Sequence, residues 1–173
     1  MLYWVILISM FCANMFGVIL HFTHRSRTGS LMLHLFSAVN ESTWEHLKLA
    51  FIPMLFISFI QYFILKGEYL NVLEGNLYGI LLVLILIPLL YYSVRLFLKR
   101  EVLFVSILIF ILSVILGYVL IYFFISSNIS YIGELYSLLS LIFLFLLFSF
   151  FTFFPPKMFL FKDPISGRYG HIK

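Results

Sequence analysis

The sequence predicts an all-α integral membrane protein, a bundle of five transmembrane helices, and three observations predict it. Of 173 residues, 64% are hydrophobic and only 10% charged. The mean hydropathy is +1.13. The apolar residues gather in five runs, each long enough to cross a hydrocarbon core of about 30 Å, which takes roughly 20 helical residues. A soluble domain carries about a quarter charged residues to keep its surface solvated. Here 11 Lys and Arg with 7 Asp and Glu serve the whole chain, so most of its surface faces lipid.

The runs cover 2–22, 47–65, 77–97, 102–125 and 135–154, followed by a tail at 155–173. Backbone groups in lipid must bond within their own segment, so runs this apolar are helices; the alternating pattern of barrel strands is absent from them. The first run has no positive charge before it and no small-residue cleavage site after it, and reads as a retained span. Pro53 and Pro88 lie inside the second and third runs as candidate kinks, and Pro155 with Pro156 stops the fifth. Gly75 and Gly79 form one G-x-x-x-G, a signal of close helix approach. No segment between the runs is long enough for a separate domain.

Charge placement orients the bundle. Counted on alternate sides, every Lys and Arg except Lys66 falls on one side. By the positive-inside rule that side is cytoplasmic, which predicts the N-terminus outside and the C-terminus in the cytoplasm. The net charge of +4 therefore reads as topology. It does not point to nucleic acid, because no basic stretch with interleaved aromatics exists. The expected partners are the lipid bilayer and either a second copy of the chain or another membrane complex. The lone Cys12 excludes an intrachain disulfide and a thiolate metal site.

All five histidines, His21, His24, His34, His46 and His171, fall on the predicted cytoplasmic side. On a helix Asn14, Gly17, His21 and His24 share one stripe, and Glu41 and Glu45 share another with Lys48 beside them. Two histidines and two carboxylates are ligand types for zinc or another divalent metal. We expect His21, His24 and Glu45 as metal ligands and Glu41, Glu45 and His46 as catalytic groups. The plainer alternative makes Ser42 and Glu45 a capping box, worth about 1 kcal/mol, and Trp44 and Lys48 interface anchors. A Ser42–His46 nucleophile and base is a weaker third reading. Asn14, the most deeply placed amide, is a candidate marker of a polar path. In the tail, Asp163, Pro164, Ser166 and Gly167 form a turn signature. Such a turn folds the chain end back and brings Asp163 or His171 to the loop after the first span.

Two segments carry a resemblance. Asn-Glu-Ser-Thr-Trp-Glu-His-Leu-Lys at 40–48 and Asp-Pro-Ile-Ser-Gly-Arg-Tyr-Gly at 163–170 resemble the paired motifs of an uncharacterised family of small bacterial multi-pass membrane proteins. The resemblance spans nearly the whole chain and implies a bacterial cytoplasmic-membrane protein, with no activity to carry over. Two functions stand open at this point. One is a metal-dependent hydrolase of a lipid-linked or membrane-proximal substrate, with metal-activated water and a glutamate as general base. The other is a non-enzymatic transporter subunit or membrane-complex scaffold.

Overall fold

The computed structural model describes residues 1–23, 31–98, 103–164 and 166–170. Among these, the chain forms α1 (Leu2–Thr23), a short α2 (Leu31–Phe36), α3 (Thr43–Leu65), α4 (Val72–Leu98), α5 (Leu103–Ser127) and α6 (Glu134–Phe153), then one 3-10 turn, Phe159–Phe161. The five long helices are apolar and long enough to cross a membrane. Each matches one apolar run of the sequence. Both α3 and α4 continue through their prolines, Pro53 and Pro88.

Burial ranks the helices. In α3, 67% of the apolar window is buried inside the protein, against 22–33% for the other four, so α3 is the central post and the others turn one side outward. It packs against α1, α4 and α6, and α4 packs against α5. The outer faces carry large apolar side chains such as Phe11, Phe63, Ile85, Phe123 and Phe143, each more than half exposed. That pattern suits lipid, where association depends on close backbone contact more than on hiding apolar surface from water.

Glycines permit that contact. A Cβ on Gly79 would lie 2.3 Å from Ile121 Cγ1 and 2.8 Å from the Gly117 carbonyl oxygen, and one on Gly117 would lie 2.4 Å from Val83 Cγ2. The expected G-x-x-x-G thus forms part of the α4–α5 interface. On the opposite side of the bundle, a Cβ on Gly17 would meet Phe110 at 2.4 Å and the Leu49 carbonyl oxygen at 3.0 Å.

The helices α3 and α4 begin before the apolar runs do, at Thr43 and Val72, because capping extends them through polar residues. At the far end, Glu74, in the first turn of α4, is 0% exposed. Its carboxylate accepts from Ser130 Oγ at 2.6 Å and from the amides of Tyr131, Ile132 and Gly133 at 3.0–3.3 Å. Glu134, which opens α6, returns the bond by accepting from the Leu73 amide in the first turn of α4 at 3.3 Å. Each carboxylate thereby satisfies donors at the start of the other's helix, where the macrodipole also favours negative charge.

Replacing Gly79 with Ala forces a methyl against backbone as well as side chain. We expect Gly79→Ala to lose about 1–3 kcal/mol of stability, measured as a lowered thermal midpoint in detergent, whereas Gly67→Ala, with no atom near its Cβ, leaves the midpoint unchanged.

Candidate functional site

The segment at 40–48 sits where α1, α2, α3 and α6 meet. Ser42 caps α3, its Oγ accepting from the Glu45 amide at 3.4 Å. Only half of the expected capping box forms, because Glu45 does not reach back to Ser42. Asn40 Oδ1 accepts from the Ser42 amide instead, at 2.9 Å, and Glu45 Oε2 accepts from the Val39 amide at 3.2 Å.

Glu45 turns inward to Lys48, and the two form an ion pair at 2.6 Å with side chains 3% and 0% exposed. The three ammonium donors of Lys48 are all used: the others go to the His34 carbonyl at 2.8 Å and to Thr152 Oγ1 at 3.0 Å. Thr152 in turn lies 3.3 Å from Glu45 Oε1 and 2.9 Å from the Phe148 carbonyl, either of which takes its single proton. Lys48 was expected as an interface anchor, and Trp44 with it; both are buried. A lysine reads as a water-seeking charge in a linear sequence, and only the carboxylate three residues earlier hinted at a pair.

The tail closes over this pair. Trp44 stacks on Phe148 and Phe161, with ring centroids 4.4 and 4.6 Å away. Asn40 Nδ2 donates to the Gly170 carbonyl at 2.9 Å, and Gly170 holds a left-handed φ of 68°. A Cβ there would strike Pro155 at 2.8 Å. Asp163 accepts from Ser166 Oγ at 2.9 Å and its amide donates to the Arg168 carbonyl at 2.9 Å, which shapes the expected turn. The chain end does fold back, to Asn40, so the two sequence motifs touch. His171 lies outside the described residues.

A second group faces the other way from α3. The rings of His21 and His46 lie 5.2 Å apart between centroids, and His46 Nε2 is 3.5 Å from Glu41 Oε2, with both side chains about one-third exposed. His46 Nδ1 lies 2.9 Å from the Ser42 carbonyl. A carbonyl only accepts, so Nδ1 carries a proton, while Nε2 faces the Glu41 carboxylate, itself an acceptor. His21 and His46 border a pocket of about 50 Å³ otherwise lined by Gly17, Val18, Leu49, Ser106, Ile107 and Phe110.

Of the expected site residues, the structure thus brings together His21, Glu41 and His46. Glu45 stands apart from them, committed to Lys48, Thr152 and the Val39 amide. His24 lies outside the described residues. Among the described residues no three His, Cys, Asp or Glu side chains converge as a metal-binding group. Asn14 faces a separate groove with Leu7, Phe11 and Ile111, and its amide donates to the Met10 carbonyl at 2.9 Å. Thr152 was missed by sequence reading, since a lone hydroxyl in an apolar run names no partner, and Gly170 entered it only as the last residue of the segment at 163–170.

A buried pair of this kind is more costly to break than to replace. Lys48→Met leaves the Glu45 charge buried and is expected to cost about 3–5 kcal/mol, whereas Glu45→Leu with Lys48→Met recovers most of that loss. Thermal unfolding followed by tryptophan fluorescence in detergent checks both, and a single variant as stable as the wild type would contradict the pairing.

No curated protein and no solved structure matches the chain. A family model described as "Family of unknown function (DUF6512)" matches residues 2–171. With nearly its whole length matched and five helices able to cross a membrane, the chain belongs to this family of unknown function.

Proposed function

We propose that this protein acts on the polar end of an amphipathic molecule held in the membrane, with His46 as the proton acceptor in a hydrolysis and Glu41 beside it. The observation that carries the reading is the orientation imposed on His46. Its Nδ1 is tied to the Ser42 carbonyl, which fixes the ring and holds Nε2 beside the Glu41 carboxylate, where a proton taken up on Nε2 is stabilised. The neighbouring pocket is walled mostly by apolar side chains with the two imidazoles at its border, which suits an apolar chain with a polar head. A histidine whose other nitrogen is held by a backbone carbonyl is also the usual form of a metal ligand. A divalent ion such as zinc, held by His21 and His46, would supply an activated water; Glu41 would then be the base. The Lys and Arg distribution supports a cytoplasmic position for this end, and the resemblance carried by the segments at 40–48 and 163–170 supports a bacterial cytoplasmic membrane.

One observation favours the second reading, a scaffold or transporter subunit. Asn40, Ser42, Glu45 and Lys48 each have a structural partner, so packing alone accounts for most of the motif. His46 and His21 differ from these four in bordering a pocket, with His46 about one-third exposed.

Lipid extracts of cells expressing the wild type and His46→Gln, compared by mass spectrometry, separate the two. The hydrolase reading expects a cleaved amphiphile that appears with the wild type and is lost with His46→Gln at equal protein level. Zinc analysis of the same purified proteins reads the metal directly: stoichiometric zinc in the wild type, lost in His46→Ala, supports the metal form. Identical extracts together with identical metal content leave the scaffold.

A further inference from the structure

Besides closing over Glu45 and Lys48, the tail leaves a groove between its 3-10 turn and the end of α4. Pro88, Leu89 and Leu96 form one wall and Phe159 and Leu160 the other, around a volume of about 690 Å³, within the range of ligand-sized sites. Leu89, Leu96 and Phe159 are each more than half exposed. Tyr92 joins the two walls: its ring meets Phe159 edge to face at 5.3 Å, and its hydroxyl lies 2.9 Å from Thr43 Oγ1 at the start of α3.

One end of this groove is charged. Arg95, exposed and in the last turn of α4, borders it, and from Pro88 to Arg95 the helix rises about 10 Å at 1.5 Å per residue. Tyr91 orients the arginine: its hydroxyl accepts from Nη1 at 3.4 Å, and its ring centroid lies 5.9 Å from the guanidinium carbon. Lys157 and Lys162, both exposed, flank the 3-10 turn in the chain. Among the described residues the acids at this end are engaged elsewhere. Glu45 pairs with Lys48, Asp163 is 4% exposed and accepts from Ser166, and Glu41 lies beside His46. None of the three borders the groove.

We propose that this groove holds an anionic glycerophospholipid, with its phosphate at Arg95 and an acyl chain along Leu89, Leu96 and Phe159 toward Pro88. A guanidinium fork matches phosphate oxygens two at a time, and a basic site at the end of a membrane-spanning helix lies at the depth of lipid headgroups. A zwitterionic lipid offers the same phosphate but adds a cation, which Arg95, Lys157 and Lys162 repel. A second copy of the chain joined symmetrically through this face would set one basic surface against another. An arginine serving only as an interface anchor requires no apolar trough beside it. The bound chain braces Phe159 against Tyr92, and so helps to hold the tail over the motif at 40–48. The site stands independently of any reaction at His46.

Native mass spectrometry of the full chain in mild detergent, titrated with phosphatidylglycerol or with phosphatidylcholine of the same acyl chains, tests the site. The wild type is expected to retain phosphatidylglycerol severalfold over phosphatidylcholine, and Arg95→Gln to bring the two close to equal. Lys66→Gln, at the opposite end of α3, is expected to keep the preference. Equal retention of both lipids by the wild type, an unchanged preference in Arg95→Gln, or the same loss in Lys66→Gln overturns the proposal. Displacement of the lipid by equimolar inorganic phosphate marks a bare anion site and overturns it as well. The thermal midpoint in the same detergent gives a second readout. Phosphatidylglycerol is expected to raise it by a few degrees in the wild type and by less in Arg95→Gln, and an equal rise in both counts against the groove.

Discussion

The ion pair of Glu45 and Lys48 is the interaction on which the rest of this end of the molecule depends. Two charges in a dry interior are tolerable only when mutual attraction is joined by hydrogen bonds to every remaining donor. Here that requirement recruits α2 through the His34 carbonyl, α6 through Thr152 and the loop before α3 through Val39. Two of these pieces are held by the remaining protons of the ammonium and the third by the carboxylate. Trp44 and Phe161 then exclude water from above, which strengthens the attraction by lowering the local dielectric. With Glu45 facing inward, its helical neighbour His46 is turned about 100° around α3, toward His21 of α1.

The far end meets the same constraint by a different device. There, among the described residues, no cation pairs with the acids Glu74 and Glu134, and backbone amides at helix starts take that role. Asn71 and Asn128 complete it, with Asn71 donating to the Phe124 and Ile129 carbonyls and Asn128, at a φ of 52°, accepting from the Leu70 amide. Between the ends, small residues bring α4 and α5 into backbone contact. The helices are fastened by polar groups at both ends and by steric fit in the middle.

Much of this was legible in the sequence. Apolar run length gave five helices, because lipid permits little else. Glycine spacing gave a close helix approach on α4, though not α5 as its partner, and the Asp-Pro-Ile-Ser-Gly turn gave a folded-back tail. The helix starts were misplaced by four or five residues because Thr43–His46 and Val72–Asn76 are polar or mixed, and hydropathy has no account of a charge satisfied by a distant partner. For the same reason Lys48 reads as a surface anchor and Glu45 as a ligand beside His21. Which face of α3 each side chain occupies depends on Thr152, a residue 104 positions further on. The proximity of His21 to His46, by contrast, follows from both lying at one end of adjacent spans.

The docked tail has a consequence for how the protein is made. Asn40 is bonded to a residue 130 positions later, and Lys48 to one 104 positions later. Synthesis and membrane insertion proceed from the N-terminus, so α3 enters the bilayer with its charged pair before the threonine and the aromatic cover exist. During that interval Glu45 and Lys48 have chiefly each other, three residues apart on one helix. Placing both charges in the same turn makes the helix insertable as an almost neutral unit. The motif therefore records the order of assembly as well as the finished contacts.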